Sequence, residues 1–450
     1  MANIFTDEFT GSGLVSNAAF ENFSPVSSDP GNEIVFVMGN LPDQQRLIGG
    51  IKPGIEISLL DPLGGDWVLE YQTGAIESAL PFADVAMAGY GVVLSSVPPY
   101  NIAQTTYVPL PEPDVQTALK AIAGATKVWG NIQTVIAIST TGNGTIVVYD
   151  QWEDGYEVDI DNPVQASTLI FGDGILANGA APGVTTDSGD VFNAGQTILL
   201  NSAINPLSPL TIDFDGRDKI GSTKAVSVSK AGWSENPGTV LAGVVSVIDA
   251  GNAGKTYTLP IGQNVETVAT GTNKLFEYTS AHIIATRNGT TVSIDKDGNG
   301  TTDLTVTLNE GETCMVNGGL NAGGKITADK GIGVYLIAGD VASAYENRWF
   351  SLTPDEQWSS SFYAPVGTTL SADPAYVILY NPGVSAITVK YDMATQTGLS
   401  ISVAAKSTAY VAMPASAAHF YTADSAKFFA ERCRDFKYYA NRRIRSLLFR

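Results

Sequence analysis

The chain has 450 residues, room for roughly three domains at about 150 residues each, with 44% hydrophobic residues and a formal net charge of −20. That acidity argues against nucleic-acid binding, which needs basic faces for phosphate, and no apolar run approaches the ~20 residues of a membrane-spanning helix. Two cysteines, Cys314 and Cys433, are too few for a disulfide framework and form no C-x-x-C pair, which speaks against structural zinc.

The first residues, MANIFTDEFTGSG, lack the basic and apolar regions of a secretory signal. This leaves a cytoplasmic chain or one whose natural start lies upstream. Residues 1–100 carry strand-like runs, Ile34–Met38, Ile55–Leu60, Trp67–Tyr71 and Val92–Val97, broken by Gly and Pro clusters, and read as a β-rich region. One helix is predicted over Asp114–Ala123. Asp114 is placed to cap it, Val115, Leu119 and Ile122 share a face, and Gly124 can end it.

From there the chain repeats. Leu304 aligns with Leu399, Val316 with Val411 and Thr327 with Thr422, each 95 positions apart. Pro260 and Gly262 align with Pro365 and Gly367 at an offset of 105. An earlier copy shows as NGTIVVYD at Asn143 against NGTTVSID at Asn288, and as KAVSVSKAG at Lys224 against KGIGVYLIAG at Lys330. A unit of about 100 residues with six or more short strands and Gly/Asn/Pro turns has the size of a β-sandwich. The fold expected is therefore all-β, made of tandem sandwich-like repeats, with a β-propeller as the alternative. The divisions drawn are 1–100, a first repeat 101–218, a second 219–325, a third 326–430, and a basic tail 431–450. That tail holds seven of the 25 basic residues and only two acids. It breaks the pattern of the third copy, which suggests a foreign or frame-shifted end, or a basic amphipathic helix.

The hairpin position of the repeat carries the chemistry. In the second copy Asp295, Asp297, Asn299, Gly300 and Asp303 follow D-x-D-x-N-G-x-x-D. Alternate oxygen-bearing side chains on a tight loop suit calcium, with Thr301 offering its carbonyl. The twelfth position is Val306, so the bidentate glutamate of an EF-hand is missing. The same residue types also favour a plain polar turn. In the first copy the position expands into YDQWEDGYEVDIDNP. Trp152, Glu153, Asp154, Tyr156, Glu157, Asp159 and Asp161 are its ligand-binding candidates, beside Tyr149 and Asp150. Carboxylates with aromatics can grip a sugar, perform acid–base hydrolysis or hold cations; a solvated acidic insert is the simpler reading. DFDGRDK at Asp213–Lys219 reads as a turn with a local salt bridge, or as a cation site. The third copy keeps only Asp392.

Elsewhere the chemistry is sparse. His282 in AHIIAT is expected to pack and Cys314 to be buried and inert. Gly232-Trp233-Ser234 is followed by Asn236 where a nucleophile elbow needs glycine. NGGLNAGG lacks the following helix of a phosphate loop.

The runs YDQWEDGYE, FDGRDKIGSTKAVSVSKAGW, TADKGIGVYLIAGD and DEQWSSSFYAPVG resemble the IgGFc-binding-like N-terminal region of mucus proteins, in the divergent form found in large bacterial surface proteins. The resemblance spans roughly residues 105–430. It implies an extracellular, non-enzymatic binding or adhesion module within a longer polypeptide, and carries no binding residues across. The cysteine-rich partner domains of the animal members have no counterpart here. The expectation is thus a secreted or cell-surface module stiffened by calcium, with an extracellular protein or glycan as partner. A carbohydrate-active enzyme using the 150–161 carboxylates, or a self-assembling shell component, are the alternatives.

Overall fold

The computed structural model describes residues 100–434 except 177, 180–189, 209, 237–238, 240, 266–274, 365–374, 395 and 414–416, together with the backbone of four strands nearer the N-terminus. Two compact units emerge, one of residues 1–101 with 157–166, the other of 102–156 with 167–450. In the first, strands β1 (Glu33–Val37), β2 (Glu56–Leu60), β3 (Trp67–Val68) and β4 (Gly91–Ser95) form one antiparallel sheet in the order β1-β4-β2-β3. They fall on the four runs expected.

The second unit holds the repeats. Its first copy comprises β5 (Gln104–Tyr107), helix α1 (Glu112–Ala123), β6 (Ile132–Thr140), β7 (Val147–Asp150), β8 (Leu169–Phe171), β9 (Thr197–Ile204), β10 (Lys219–Ser222), β11 (Val226–Ser234) and β12 (Ala242–Ser246). They pair as two antiparallel sheets, β5-β10-β7-β8 and β12-β11-β6-β9. Strand β6, IQTVIAIST, buries every second residue, as a strand with one covered face must. Val147, Tyr149 and Ile220 of one sheet meet Ile136, Ile138, Ile198, Leu200 and Val228 of the other in a shared core. Facing sheets make a sandwich, and the chain is nearly all β.

The second copy contains β13 (Gly254–Thr258), β14 (Tyr278–Ala285), β15 (Thr290–Asp295), β16 (Leu304–Leu308), β17 (Thr313–Val316), β18 (Lys325–Gly339) and β19 (Asn347–Ser351). The third contains β20 (Ser361–Ala364), β21 (Ala375–Asn381), β22 (Ile387–Met393), β23 (Gln396–Val403), β24 (Ser407–Met413), β25 (Ala418–Thr422) and β26 (Phe429–Arg434). Its sheets are β20-β25-β22-β23 and β24-β21-β26, the strand order of the first copy without a counterpart of β12 among the described residues. In the second copy the long β18 replaces two strands. Its first half pairs with β13 and β15, its second with β14 and β19, so both halves fuse into one barrel-like sheet.

Strand pairing sets the copies at Gln104–Ser246, Gly254–Ser351 and Ser361–Arg434. The divisions at 218/219 and 325/326 fall inside them, because β10 pairs with β5 and β7, and β18 runs through Lys325. Sequence offsets fix the period of a repeat; only the hydrogen-bonded neighbour fixes its phase. The third copy likewise continues through Arg434 in β26, paired with β21, where the basic tail was expected to begin. Residues 435–450 lie outside the described residues.

Helix α1 starts two residues earlier than expected. Pro111 holds the N-cap position with no side-chain cap, and Pro113 sits in the first turn, where its fixed φ suits a helix start. Asp114 therefore does not cap. Gly124 does end the helix, at φ +93°, its N–H bonded to Lys120 O at 2.8 Å. The apolar face, Val115, Ala118, Leu119 and Ile122, packs among Leu241 and Val245 of the first copy and Tyr278, Ile284, Tyr335, Ile337 and Trp349 of the second. This explains why β14, YTSAHIIA, is buried at every position. Ala281 and Ile283 face its own core, while Tyr278 and Ile284 lie against the helix. His282 is buried there, its Nε2 3.1 Å from Ser280 Oγ. Cys314 in β17 is half-buried, and burial raises its thiol pKa, which keeps it protonated. The second and third copies also share a core, in which Trp358 packs on Tyr380 and Phe429.

Strand β26 carries a pH dependence. Glu431 is half-buried beside a cavity of about 210 Å³ lined by Phe362, Val377 and Phe420, and burial pushes its carboxyl up to about 7, only partly offset by the N–H of Arg432. A carboxyl with a raised folded-state pKa holds a proton that the unfolded chain has released. Its contribution therefore falls as pH rises from the ordinary value of 4.5 to about 7, then levels off. Melting temperatures from pH 5 to 8 should show a shallower decline for Glu431→Gln than for the parent, and identical profiles would refute the assignment.

Candidate functional site

The strongest concentration of charge lies inside the first sandwich. Strand β7 delivers Asp150, and the chain then turns through Gln151–Tyr156, with Gly155 at φ +90° and its N–H on Trp152 O. Opposite, residues 213–218 turn into β10. The turn is tight at Gly216, where an added Cβ would run into the backbone of Pro111 at the start of α1. Arg217, the next residue, is held at φ +90°, a conformation that L side chains rarely adopt.

These two loops bring Glu153, Asp215 and Asp218 together, with one carboxylate oxygen from each lying within 4.8 Å of the others. Asp218 is fully buried and Asp215 is 4% exposed, while Glu153 is half-buried. Asp218 is heavily supported. Tyr149 Oη donates to its Oδ2 at 2.5 Å, as does the Asp215 N–H at 3.1 Å, and the Trp152 N–H donates to Oδ1 at 3.1 Å. Asp215 Oδ1 and Glu153 Oε2 are buried and have no hydrogen-bond donor among the described residues. Buried Gln151 Oε1, the next oxygen along the loop, has none either.

Another buried acid, Glu112, lies beside this cluster. Glu112 Oε1 pairs with Lys230 Nζ at 2.6 Å, both side chains excluded from solvent, and its Oε2 accepts the Gly216 N–H. Lys230 Nζ also donates to Leu110 O at 2.9 Å. The electrostatic outcome is one-sided. Burial, reinforced by repulsion from Glu112 and Asp218, raises the Asp215 pKa. Burial first, then Glu153, raises that of Asp218 against the pull of its three donors. Glu153 is pushed up to about 7, again chiefly by burial. Oxygens so arranged can hold a shared proton or a hard cation.

The outer side of the cluster meets the second copy. Arg217 stacks over the Trp152 ring, 4.3 Å to the centroid, and its Nε donates to Thr313 Oγ1 at 3.3 Å. Tyr156 donates to Arg217 O and rests against Gly311. Lys219 pairs with Glu310 at 2.7 Å, and Tyr107 Oη donates to the same carboxylate at 2.5 Å. The 213–219 turn carries no local salt bridge among the described residues: Asp215 and Asp218 are buried, Arg217 serves the joint between copies and Lys219 pairs with Glu310 of the second copy.

The 150–161 insert does not form one constellation. Trp152, Glu153, Asp154 and Tyr156 belong to the repeat unit, whereas Glu157, Asp159 and Asp161 belong to the N-terminal one. Glu157 is buried and Oε1 accepts the N–H groups of Val164 and Gln165, and Asp159 closes a turn onto Asp161 N and Asn162 Nδ2. Asp154 and Asp159 are exposed. The expected solvated insert is thus half interior.

The hairpin between β15 and β16 does gather its acids, with oxygens of Asp295, Asp297 and Asp303 within 4.8 Å of one another. The loop engages at least one oxygen of each. Asp295 takes Gly298 and Gly300 N–H at 2.8 Å, Asp297 takes Asn299 N–H, Asp303 takes Lys296 N–H at 2.7 Å, and Asn299 Oδ1 takes Thr301 N–H at 2.7 Å. This is a self-satisfied, largely exposed turn.

Sequence reasoning missed Glu112 and Lys230. The signal was present in KAVSVSKAG, where period-2 alternation puts Lys230 on the inward face with Val226 and Val228. Searches against protein-family models and against curated proteins return no match to this chain.

Proposed function

We propose that the chain is a non-enzymatic structural or adhesion module, a piece of a larger secreted or cell-surface protein, in which sandwiches in series present their loops to an extracellular protein or glycan. The observation that carries this reading is the welding of consecutive copies through shared hydrophobic cores, one around α1 and Trp349, the other around Trp358. Flexible linkers would suit independent binding modules; continuous cores suit a part that must hold its geometry. The acidity of the chain and the runs resembling the IgGFc-binding-like region support the surface setting. In this reading the 295–303 hairpin takes calcium weakly, in the ~10⁻⁴–10⁻³ M range of extracellular modules.

A glycosidase reading has one point in its favour, since retaining enzymes place two carboxyl groups about 5–5.5 Å apart. The burial of Asp215 and Asp218 supports the non-enzymatic reading over this one. The test is a glycan and matrix-protein binding screen with the full chain, run beside hydrolysis assays on the same glycans. Saturable binding without turnover is expected. Turnover abolished by Glu153→Gln would overturn the proposal.

A further inference from the structure

We propose that Glu153, Asp215 and Asp218 form a calcium site inside the first sandwich, and that the ion fixes the joint between the first and second copies. This site is separate from the exposed hairpin and does not rest on the calcium reading given to it.

The geometry gathers more acid than base in one largely buried region. Four acids, Glu112, Glu153, Asp215 and Asp218, lie around Lys230, and Lys230 is already committed to Glu112. Glu153 and Asp215 each bring a carboxylate oxygen to within 4.8 Å of the other, and neither Glu153 Oε2 nor Asp215 Oδ1 has a donor among the described residues. The unpartnered Asp215 Oδ1 belongs to a residue that is only 4% exposed and whose carboxylate contributes an oxygen to the cluster. Two oxygens on opposite sides of a calcium ion, at 2.3–2.6 Å each, lie about 4.6–5.2 Å apart at most. One oxygen from each of the three carboxylates lies within 4.8 Å of the others, which meets that limit. Donors from Tyr149, Trp152 and Asp215 hold Asp218 in place while leaving one lone pair of Oδ1 free, which is how outer partners orient a metal ligand. Gln151 Oε1 and water can complete an irregular oxygen shell. Magnesium, which wants near-ideal octahedral geometry and keeps its waters, suits such a buried carboxylate set less well.

The link to the joint is covalent. Arg217 sits between Asp215 and Asp218, and Tyr156 lies three residues beyond Glu153. Those two side chains, with Lys219, reach Thr313, Gly311 and Glu310 of the second copy. An ion binding both loops holds all three contacts in register.

The experiment uses the full chain, stripped with chelator, carrying Asp297→Asn and Asp303→Asn so that the hairpin contributes nothing. Calcium should raise the melting temperature by several degrees. Terbium should give emission sensitised through Trp152 and be displaced by calcium, and Trp152→Phe should dim that emission while keeping the calcium-induced rise. Because loss of an outer partner alone typically costs about 10–100-fold in metal affinity, Asp215→Asn should cost at least ~100-fold. Should that variant not fold, Glu153→Gln gives the same readout. The proposal is overturned by no thermal shift at about 10 mM calcium, above the range of the weakest extracellular modules. It is also overturned by equal stabilisation with magnesium, or by unchanged affinity in the carboxamide variants. None of these results touches the binding screen that tests the proposed function.

Discussion

Lys230→Met is expected to destabilise the repeat unit by about 3–5 kcal/mol, the usual cost of removing one partner from a buried ion pair. The side chain is 0% exposed and its ammonium bonds both Glu112 and Leu110 O. Methionine fills much the same volume, so the loss is electrostatic. Glu112 would be left beside Asp215 and Glu153 with the Gly216 N–H as its remaining partner of note, and Leu110 O would lose a donor deep in the core. The neutral pair Glu112→Gln with Lys230→Met should recover most of the loss, because the penalty comes from an uncompensated charge. Chemical denaturation of the parent, both single variants and the double variant measures this as a coupling energy. A Lys230→Met loss below about 1 kcal/mol, typical of exposed pairs, would mean that the pair contributes little.

The features a sequence can disclose are divided by the range of the interaction involved. The repeat was readable because it is written in local period-2 patterns and turn residues, and the first and third copies share one strand order. The phase of the repeat was not, because whether β10 belongs with β5 or with the second copy depends on a partner more than a hundred residues away. The helix cap was misplaced for a related reason. Asp114 is a good capping residue in isolation, but Pro111 and Pro113 set the start of the helix, and Gly216 packs against Pro111.

The two acidic sites show the same division from opposite sides. Asp295–Asp303 is a contiguous motif, and three of its acids lie together, though loop N–H groups engage acceptors that drew attention to it. The buried cluster draws Glu153 from one loop, Asp215 and Asp218 from another, and a guarding pair from α1 and β11. Nothing in the spacing of 112, 153, 215 and 230 predicts their meeting. The one local clue is a lysine in step with inward valines, because a charge at a core position must have a partner.

The joint between the first two copies should be equally sensitive to volume. Gly232 of β11 and Gly243 of β12 are register partners, and together they form a trough filled by the Trp349 indole from β19. A Cβ on Gly243 would overlap ring carbons Cγ, Cδ2 and Cε2 of Trp349, and one on Gly232 would lie 3.1 Å from Cη2. Trp349 is 9% exposed and packs in the same cluster as α1, so it has little room to retreat. Trp349→Ala should cost about 3–5 kcal/mol from lost burial and the cavity left behind. Gly243→Ala should cost about 1–3 kcal/mol or more through overpacking. The two effects have opposite volume signs, so a combined Gly243→Ala, Trp349→Leu variant should lose less than Gly243→Ala and Trp349→Leu measured singly and added together. Because this core joins the copies, calorimetry of Trp349→Ala should resolve the first copy unfolding apart from the second. A single transition at the parent temperature in Gly243→Ala would show that the indole is not held against the glycine pair.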